Sequence, residues 1–146
     1  MANSLQDVID VGGQDGFLAV VSTLRSDATI QSSVVNAGVL SHPVDHAEVV
    51  GFVTYGRMKL ANLWIRPQLS VTFRAGWRWV TVEGRAELIG PDDPGTDLDA
   101  EGRRLLLRHV FTAAGGVHDD WDAYDRTMAE QRRTAVLTRP SRIYSN

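Results

Sequence analysis

The chain has 146 residues, a mass of 16.1 kDa and a formal net charge of −3. This length predicts a single domain spanning 1–146, with enough buried surface to fold without a metal ion or a disulfide. The sequence lacks cysteine, which excludes disulfides and thiolate sites and is compatible with a cytoplasmic location. The acidic balance argues against broad nucleic-acid binding, and no apolar run reaches the roughly 18 residues of a membrane span. The opening stretch MANSLQDVID carries no Lys or Arg, so we expect no signal peptide.

The first half of the chain predicts one helix followed by three strands. Ser4 is a suitable N-cap for a helix over 4–13, which a glycine pair ends. Compact apolar runs rich in β-branched residues then predict strands, because such side chains suit a buried sheet. These strands lie at 17–24, 30–40 and 49–55.

The middle of the chain predicts a short helix and two further strands. Met58, Ala61, Leu63 and Ile65 give partial helical spacing before Pro67 stops the helix. Alternating apolar and polar residues predict a strand at 69–74 and another at 77–88. The second of these carries small apolar residues that would fill a barrel interior, at positions Val80, Val82, Gly84, Ala86 and Leu88. Its other face changes from tryptophan to charged residues, as expected where a partner covers part of an outer surface.

The last third predicts two helices and a final strand. A Pro- and Gly-rich loop over 90–97 leads to a helix near 98–114, and an aspartate caps a second helix near 120–132. TAVLT at 134–138 is the last predicted strand. Short strands with short linkers and few helices predict a small closed β-barrel with helices packed outside, not an alternating parallel-sheet fold.

The turn YGRMKL contains Lys59, the only lysine in the chain. A helix start preceded by glycine offers unpaired backbone N–H groups and the positive end of a dipole. Arg57 and Lys59 add two positive charges there, which favours an anion site, most simply for a phosphate. The alternative is an ordinary solvated turn.

Two other features have a functional and a structural interpretation. Gln31, Ser33 and Asn36 interrupt an apolar strand and could meet the heteroatom edge of a flat ring, or could simply lie on an outward face. Trp77 and Trp79 could stack on a ring system or bury a dimer interface.

The sequence gives little support for a metal site or a catalytic nucleophile. His42 and His46 are four residues apart, but Pro43 between them prevents the regular helix that would align them, so we expect no metal site. No nucleophile elbow, Walker A or dinucleotide-binding glycine motif is present. An enzyme built on this chain would therefore take its chemistry from a cofactor.

Four stretches, in order, resemble one family. TYGRMKLANLWIRPQLSVTF resembles the strand, R-x-K, N-L, P, strand signature of the split β-barrel flavin and deazaflavin oxidoreductases, the pyridoxamine-phosphate-oxidase-like proteins. IQSSVVN is similar to the family's P-Q-x-S-x-V stretch and GWRWVTVEGRAEL to its G-W…E-G-x-A-x-L strand. HDDWDAYDRTMAEQRRTAVLTRPSRIY resembles the C-terminal part of the actinobacterial branch that uses coenzyme F420, a 5-deazaflavin. Ile30 replaces the usual proline, and the pyridoxal-phosphate-binding pattern is missing, which argues against vitamin B6 oxidation.

The resemblance implies a mainly β, six-stranded split β-barrel with peripheral helices, forming a homodimer with two cofactor sites along its interface. In that family the R-x-K turn holds the cofactor phosphate, which implies this role for Arg57 and Lys59, with Asn62 in support. Thr54 matches the small hydroxyl residue that ends the preceding strand. The remaining matches lie along the ring and ribityl chain (Gln31, Ser33 and Asn36) or beside the ring (Trp77).

The function that the resemblance implies is an F420-dependent reductase. It would transfer a hydride from the reduced deazaflavin to a conjugated small molecule such as an enone or quinone. Two alternatives remain open: an FMN-dependent oxidoreductase of the same fold, and a non-enzymatic protein that binds or carries the cofactor. The expected partners are a second copy of the chain and a small-molecule substrate, without nucleic acid or membrane.

Overall fold

The computed structural model of the chain describes residues 3–93 and 97–146; within these ranges it contains six strands and four α-helices. The three residues outside the described part of the 90–97 loop are 94–96. The elements in chain order are α1 (Leu5–Gly12), β1 (Leu18–Leu24), β2 (Ile30–Ser41), β3 (Glu48–Thr54), α2 (Arg57–Ile65), β4 (Gln68–Ala75), β5 (Arg78–Ile89), α3 (Ala100–Ala113), α4 (Trp121–Glu130) and β6 (Thr134–Ser145). A 3-10 turn follows α1 at Gly13–Asp15.

All six strands pair antiparallel into one closed barrel, which confirms the predicted architecture. The strand order is β1-β2-β3-β6-β5-β4, and β4 returns to pair with β1. Alternate residues point inward and are fully buried, among them Val21, Phe52, Val71, Phe73, Val80, Val82 and Val136. Closure pairs both edges of the sheet, so these apolar strands leave no open edge along their paired residues.

The last strand is longer than the sequence predicts. β6 continues from Thr134 to Ser145, well past the predicted end at 138, and its second half pairs with β5. Proline is tolerated at position 140 because β3 pairs only with the first half of β6, so Pro140 has one free edge. The pairing register shifts at Glu83/Gly84 opposite this proline. A side chain at Gly84 would lie 2.1 Å from the carbonyl oxygen of Arg139, so the position requires glycine.

The helices cover parts of the barrel and leave a gap beside β2 and β3. α1 begins with the predicted cap, in which Ser4 accepts the amide N–H of Gln6. α3 buries Leu106 and Val110 against β3 and β6, and α4 is tied to α3 by ion pairs from Arg104 and Arg108 to Asp125. No helix within the described ranges has the length and apolar character needed to cross a membrane.

Candidate functional site

A cavity of about 790 Å³ lies between the barrel and the helical pair α3–α4. This size falls within the roughly 300–1,000 Å³ typical of small-molecule sites. One wall comes from the middle of β2, the end of β3 and the start of α2, and includes Asn36, Thr54 and Lys59. The opposite wall is aromatic and apolar, and includes Phe111, His118, Tyr124 and Met128. Among the described residues that line the cavity there are two strong cations, Lys59 and Arg133, and no carboxylate. The cavity is therefore electropositive in a protein of net negative charge.

The N-terminus of α2 reaches the cavity without a side-chain cap. Gly56 is its N-cap residue and provides no side-chain acceptor. The other three α-helices of the described chain begin with side-chain caps, from Ser4, Asp99 and Asp120. The first N–H groups of α2 therefore lack the partner that those helices supply, and the positive end of its dipole is open to a ligand.

Lys59 lies in the first turn of this helix and is buried. Its exposed fraction is only 7%, and its side chain forms no hydrogen bond or ion pair with any residue in the described ranges. Its Nζ lies 5.8 Å from the centre of the Phe52 ring. Burial lowers the pKa of the Lys59 ammonium, because the charged form loses hydration. A buried charge without a counterion is expensive, so its retention points to an anion supplied from outside.

α2 buries polar residues and exposes apolar ones, which is the reverse of an ordinary amphipathic helix. It buries Lys59, Asn62 and Leu63, whereas Met58 is 55% exposed and Ile65 is 69% exposed. Of the apolar residues whose spacing predicts the helix, only Leu63 reaches the core. A helix that buries a lysine and exposes a methionine violates the usual pattern, and such violations concentrate at functional sites.

Gly56 leaves open the space between Thr54 and Lys59 that a side chain at this position would partly fill. A Cβ at Gly56 would lie 3.4 Å from Thr54 Oγ1 and 3.9 Å from Lys59 Nζ. The Gly56 amide N–H donates to Thr54 Oγ1 at 3.1 Å, which orients the hydroxyl at the end of β3. Thr54, Gly56 and Lys59 thus form a small polar pocket, here called the α2 cradle.

Arg133 is a site residue that sequence reasoning missed. Its guanidinium lies 4.0 Å from the centre of the Tyr55 ring, and its Nε–H donates to Gln131 at 2.8 Å. It makes no ion pair with the described residues, whereas other arginines, such as Arg104, Arg108, Arg132, Arg139 and Arg142, do so. The pairing of Thr54 with Thr134 brings residues 55 and 133 together. This long-range register leaves no local signal in the sequence.

The three residues predicted on the second strand divide between two faces. Asn36 lines the cavity and donates from Nδ2 to the carbonyl oxygen of Gly16 at 2.9 Å. Gln31 and Ser33 lie on the opposite face of β2, because side chains alternate along a strand. Gln31 accepts a hydrogen bond from Thr23, whose hydroxyl in turn accepts from Asn62. Ser33 Oγ is buried without a partner in the described structure.

The other predicted site residues occupy different surroundings. Asn62 is buried, and its side-chain amide donates to the Thr23 hydroxyl on β1. This hydrogen bond holds α2 against β1 and so helps to position Lys59. Arg57 is exposed in the first turn of α2 and does not line the cavity. Trp77 is 93% exposed in the turn between β4 and β5, and it also lies outside the cavity of this single chain. The cavity therefore brings together Asn36, Thr54 and Lys59, with Asn62 behind them.

The described residues form no metal-binding cluster, and His42 has a structural role. Among the described residues no three His, Asp or Glu side chains come together as metal ligands. His42 is buried, accepts the Val44 amide N–H on Nδ1 and contacts Glu87 through Nε2 at 2.8 Å. This arrangement holds the β2–β3 turn in place.

Solved structures share this architecture. No family model and no curated relative matches the chain. A conserved hypothetical protein from Mycobacterium tuberculosis aligns with a TM-score of 0.68 at 18% identity, covering 99% of this chain and 85% of that one. A protein described as an F420 reductase aligns with a TM-score of 0.60 at 17% identity, covering 93% and 94%. An FMN-binding protein related to pyridoxamine 5′-phosphate oxidase, from Nostoc punctiforme, aligns with a TM-score of 0.59 at 11% identity, covering 99% and 86%. The chain therefore has the six-stranded split-barrel fold of the pyridoxamine 5′-phosphate oxidase-like proteins.

Proposed function

We propose that the chain is an oxidoreductase that binds coenzyme F420 in the cavity and reduces conjugated small molecules. The observation that carries this proposal is the buried, unpaired Lys59 beside the uncapped start of α2. A similar fold in a protein described as an F420 reductase supports the choice of cofactor. When bound, the reduced deazaflavin would supply a hydride to an electrophilic carbon of the acceptor.

The residues present fit the phosphate of such a cofactor. The α2 cradle offers the Lys59 ammonium, the Thr54 hydroxyl and the free N–H groups at the start of the helix. Arg133 provides a second cation on the same cavity, with both terminal nitrogens uncommitted among the described residues. Arg57, two residues before Lys59 in the first turn of α2, would add charge from outside the cavity. Charge-assisted hydrogen bonds of this kind hold phosphate groups strongly.

The apolar wall fits the flat ring of the cofactor. Phe111, Tyr124 and Met128 face the polar wall across the cavity, and Asn36 offers an amide edge on β2. A tricyclic ring between these walls would be shielded from water, which favours hydride transfer over side reactions. Ser33 lies on the other face of β2, with its Oγ buried and without a partner among the described residues.

We further propose that the cavity is completed by a second copy of the chain. Leu18, Val20 and Val34 form an exposed apolar patch on the outer face of β1 and β2, where Val20 pairs with Val34. Leu18 and Val34 also line the cavity, so the patch continues to its mouth. A partner on this patch would close the cavity, and the exposed Trp77 is suited to bury against the partner.

Side-by-side titration of the purified protein with F420 and FMN tests the proposal. We expect F420 to bind and then to be oxidised catalytically, after reduction, by enones or quinones. Tighter binding of FMN would assign the flavin chemistry of the same fold. Stoichiometric binding without turnover over a panel of acceptors would indicate a carrier.

Lys59→Ala should weaken F420 binding by about 1.5–3 kcal/mol, the range for a hydrogen bond to a charged group. Because Lys59 is the only lysine, an amine-directed reagent such as pyridoxal phosphate with borohydride reports on this residue and the N-terminus alone. Saturating F420 should protect Lys59 from labelling, as read by peptide mass spectrometry, and the N-terminal amine serves as the internal control. An unchanged dissociation constant together with unprotected Lys59 would remove the cradle from the site.

A further inference from the structure

We propose that His118 is a catalytic hydrogen-bond donor that holds the carbonyl oxygen of the acceptor during its reduction. This inference rests on the proposed function and extends it to the substrate, because it requires an acceptor whose reacting double bond is conjugated to a carbonyl. Nothing in the sequence patterns points to this residue, which lies in the loop between α3 and α4.

The structure fixes which nitrogen of His118 carries the proton. The amide N–H of Asp120 donates to Nδ1 at 3.0 Å, so Nδ1 must be unprotonated. The neutral ring then carries its hydrogen on Nε2, which has no partner among the described residues. Because the tautomer is set by the partner of the other nitrogen, His118 presents a donor and not an acceptor.

The ring is also held firmly in place. His118 packs against Phe111, Trp121 and Tyr124, with ring centres 5.7 to 6.1 Å apart. It lines the cavity on the aromatic wall, across from Thr54 and Lys59 on the barrel wall. A donor that is fixed in a largely apolar cavity stabilises developing negative charge more than one in water does.

The other groups around the ring are committed elsewhere. Tyr124 donates its hydroxyl to the carbonyl oxygen of Leu107, and burial raises its pKa to about 12, so it stays protonated and occupied. The Asp120 carboxylate caps α4 by accepting the N–H of Ala123. Other charged groups on the surrounding elements include the paired Arg108 and Asp125, the exposed Asp119 and Asp122, and Lys59 and Arg133 across the cavity.

The reaction step balances without a protein acid. A hydride, carrying two electrons, bonds to the β-carbon of an α,β-unsaturated carbonyl compound, and the displaced π electrons move onto the carbonyl oxygen. The Nε2–H of His118 donates to that oxygen and lowers the energy of the enolate. A proton from water then bonds to the α-carbon, so His118 begins and ends neutral. Its role is that of a neutral imidazole electrophile, for which enzymes offer precedent.

Two substitutions distinguish the roles of the two ring nitrogens of His118. His118→Asn keeps an acceptor for the Asp120 amide and removes the donor at the ε position. His118→Phe removes both. We expect both variants to bind F420 as the native protein does, and both to lower kcat for cyclohex-2-enone and menadione by about 10²-fold, as loss of one oxyanion donor does elsewhere. A tetrazolium dye, which accepts a hydride without a carbonyl oxygen, should be reduced at nearly the native rate.

A second measurement does not depend on turnover. Long-range proton–nitrogen spectra of the ¹⁵N-labelled protein, assigned with His118→Asn, should show the Nε2–H tautomer at His118. Its Nε2 resonance should shift when menadione or cyclohex-2-enone is added to the free or the F420-loaded protein. An Nδ1–H tautomer, the absence of a shift in both forms, or an equal loss of rate with the dye would overturn the assignment. Failure of F420 to bind, with the tautomer and the ketone shift intact, would instead contradict only the proposed cofactor.

Discussion

At the scale of single residues, the charge of Lys59 should lower the stability of the free protein and favour cofactor binding. In the free protein its ammonium is buried without a counterion among the described residues, which should destabilise the fold. Lys59→Met preserves the length of the side chain and removes the charge. We expect this variant to raise the free energy of unfolding at pH 7 by roughly 1–3 kcal/mol while it weakens cofactor binding by about 1.5–3 kcal/mol, as Lys59→Ala does.

Chemical denaturation of native and variant protein measures the change. Arg57→Met is the matched control, because Arg57 lies two residues away on the same helix but is exposed. Its stability should change by less than about 0.5 kcal/mol. A destabilised Lys59→Met protein would mean that the lysine contributes to the fold through a contact of its own, and the inference of a missing anion would fail.

The lowered pKa of Lys59 makes binding depend on pH. An anion in the α2 cradle favours the charged amine, so binding raises a pKa that burial has lowered. Between the two pKa values the complex holds one more proton than the free protein, and the affinity should fall as the pH rises through the lower value. Calorimetry of F420 binding in buffers of different ionisation enthalpy counts this proton. No uptake at any alkaline pH, or uptake that persists in Lys59→Met, would contradict the role of the lysine.

Local patterns indicated Lys59 of the cradle, and the family resemblance added Thr54, but neither indicated their companions Arg133 and His118. Arg57 and Lys59 are visible as charges beside a glycine at a helix start, and Lys59 does lie at the cavity. Arg133 and His118 are not visible, because their positions depend on the pairing of β3 with β6 and on the fold of the α3–α4 loop. The polar residues of β2 were predicted as a group, yet alternation along the strand divides Gln31 and Ser33 from Asn36.

At the scale of elements, the position of the helical pair depends on a glycine in β2. A Cβ at Gly38 would lie 2.3 Å from the carbonyl group of Ala113, at the end of α3. Gly38→Ala should therefore push α3 away from the barrel and lower the free energy of unfolding by about 2–3 kcal/mol. It should also weaken cofactor binding, because α3 carries one wall of the cavity.

Gly13→Ala provides the control for this prediction. Gly13 has φ of −62°, and a Cβ there would approach nothing closer than the Phe17 ring at 3.6 Å. Alanine at this position should be neutral or stabilising by about 0.4–1 kcal/mol. Thermal unfolding of Gly38→Ala and Gly13→Ala measures the change in stability, and F420 titrations of both measure the change in affinity. Equal stability in both would show that α3 can shift at no cost.

The elements themselves were predictable where the pattern is local. Caps, glycines and apolar alternation located all six strands and four helices of the described chain near their true positions. The exception is the length of β6, whose predicted end at 138 falls short of its observed end at Ser145. Whether a proline can continue a strand depends on which edge is already paired, and this is a property of the barrel and not of the segment.

At the scale of the whole molecule, the remaining question is the patch formed by Leu18, Val20 and Val34. These residues are 43–64% exposed, adjacent in register, and continuous with the mouth of the cavity. If a second chain covers them, Val34→Glu places a charge in the centre of the interface. We expect the native protein to be a dimer by light scattering and the variant to be a monomer with F420 affinity lowered at least about tenfold, because its cavity stays open to water.

Val44→Glu is the matched control for this substitution, because Val44 is also an exposed valine but lies in the β2–β3 turn, away from the patch. It should leave both the dimer and the affinity unchanged. The two measurements together also separate assembly from chemistry. A native monomer that binds F420 tightly would show that one chain suffices for the site, whereas a dimer that survives Val34→Glu would place the interface on another face. Loss of the dimer together with the affinity would mean that the electropositive cavity depends on its partner for its outer wall.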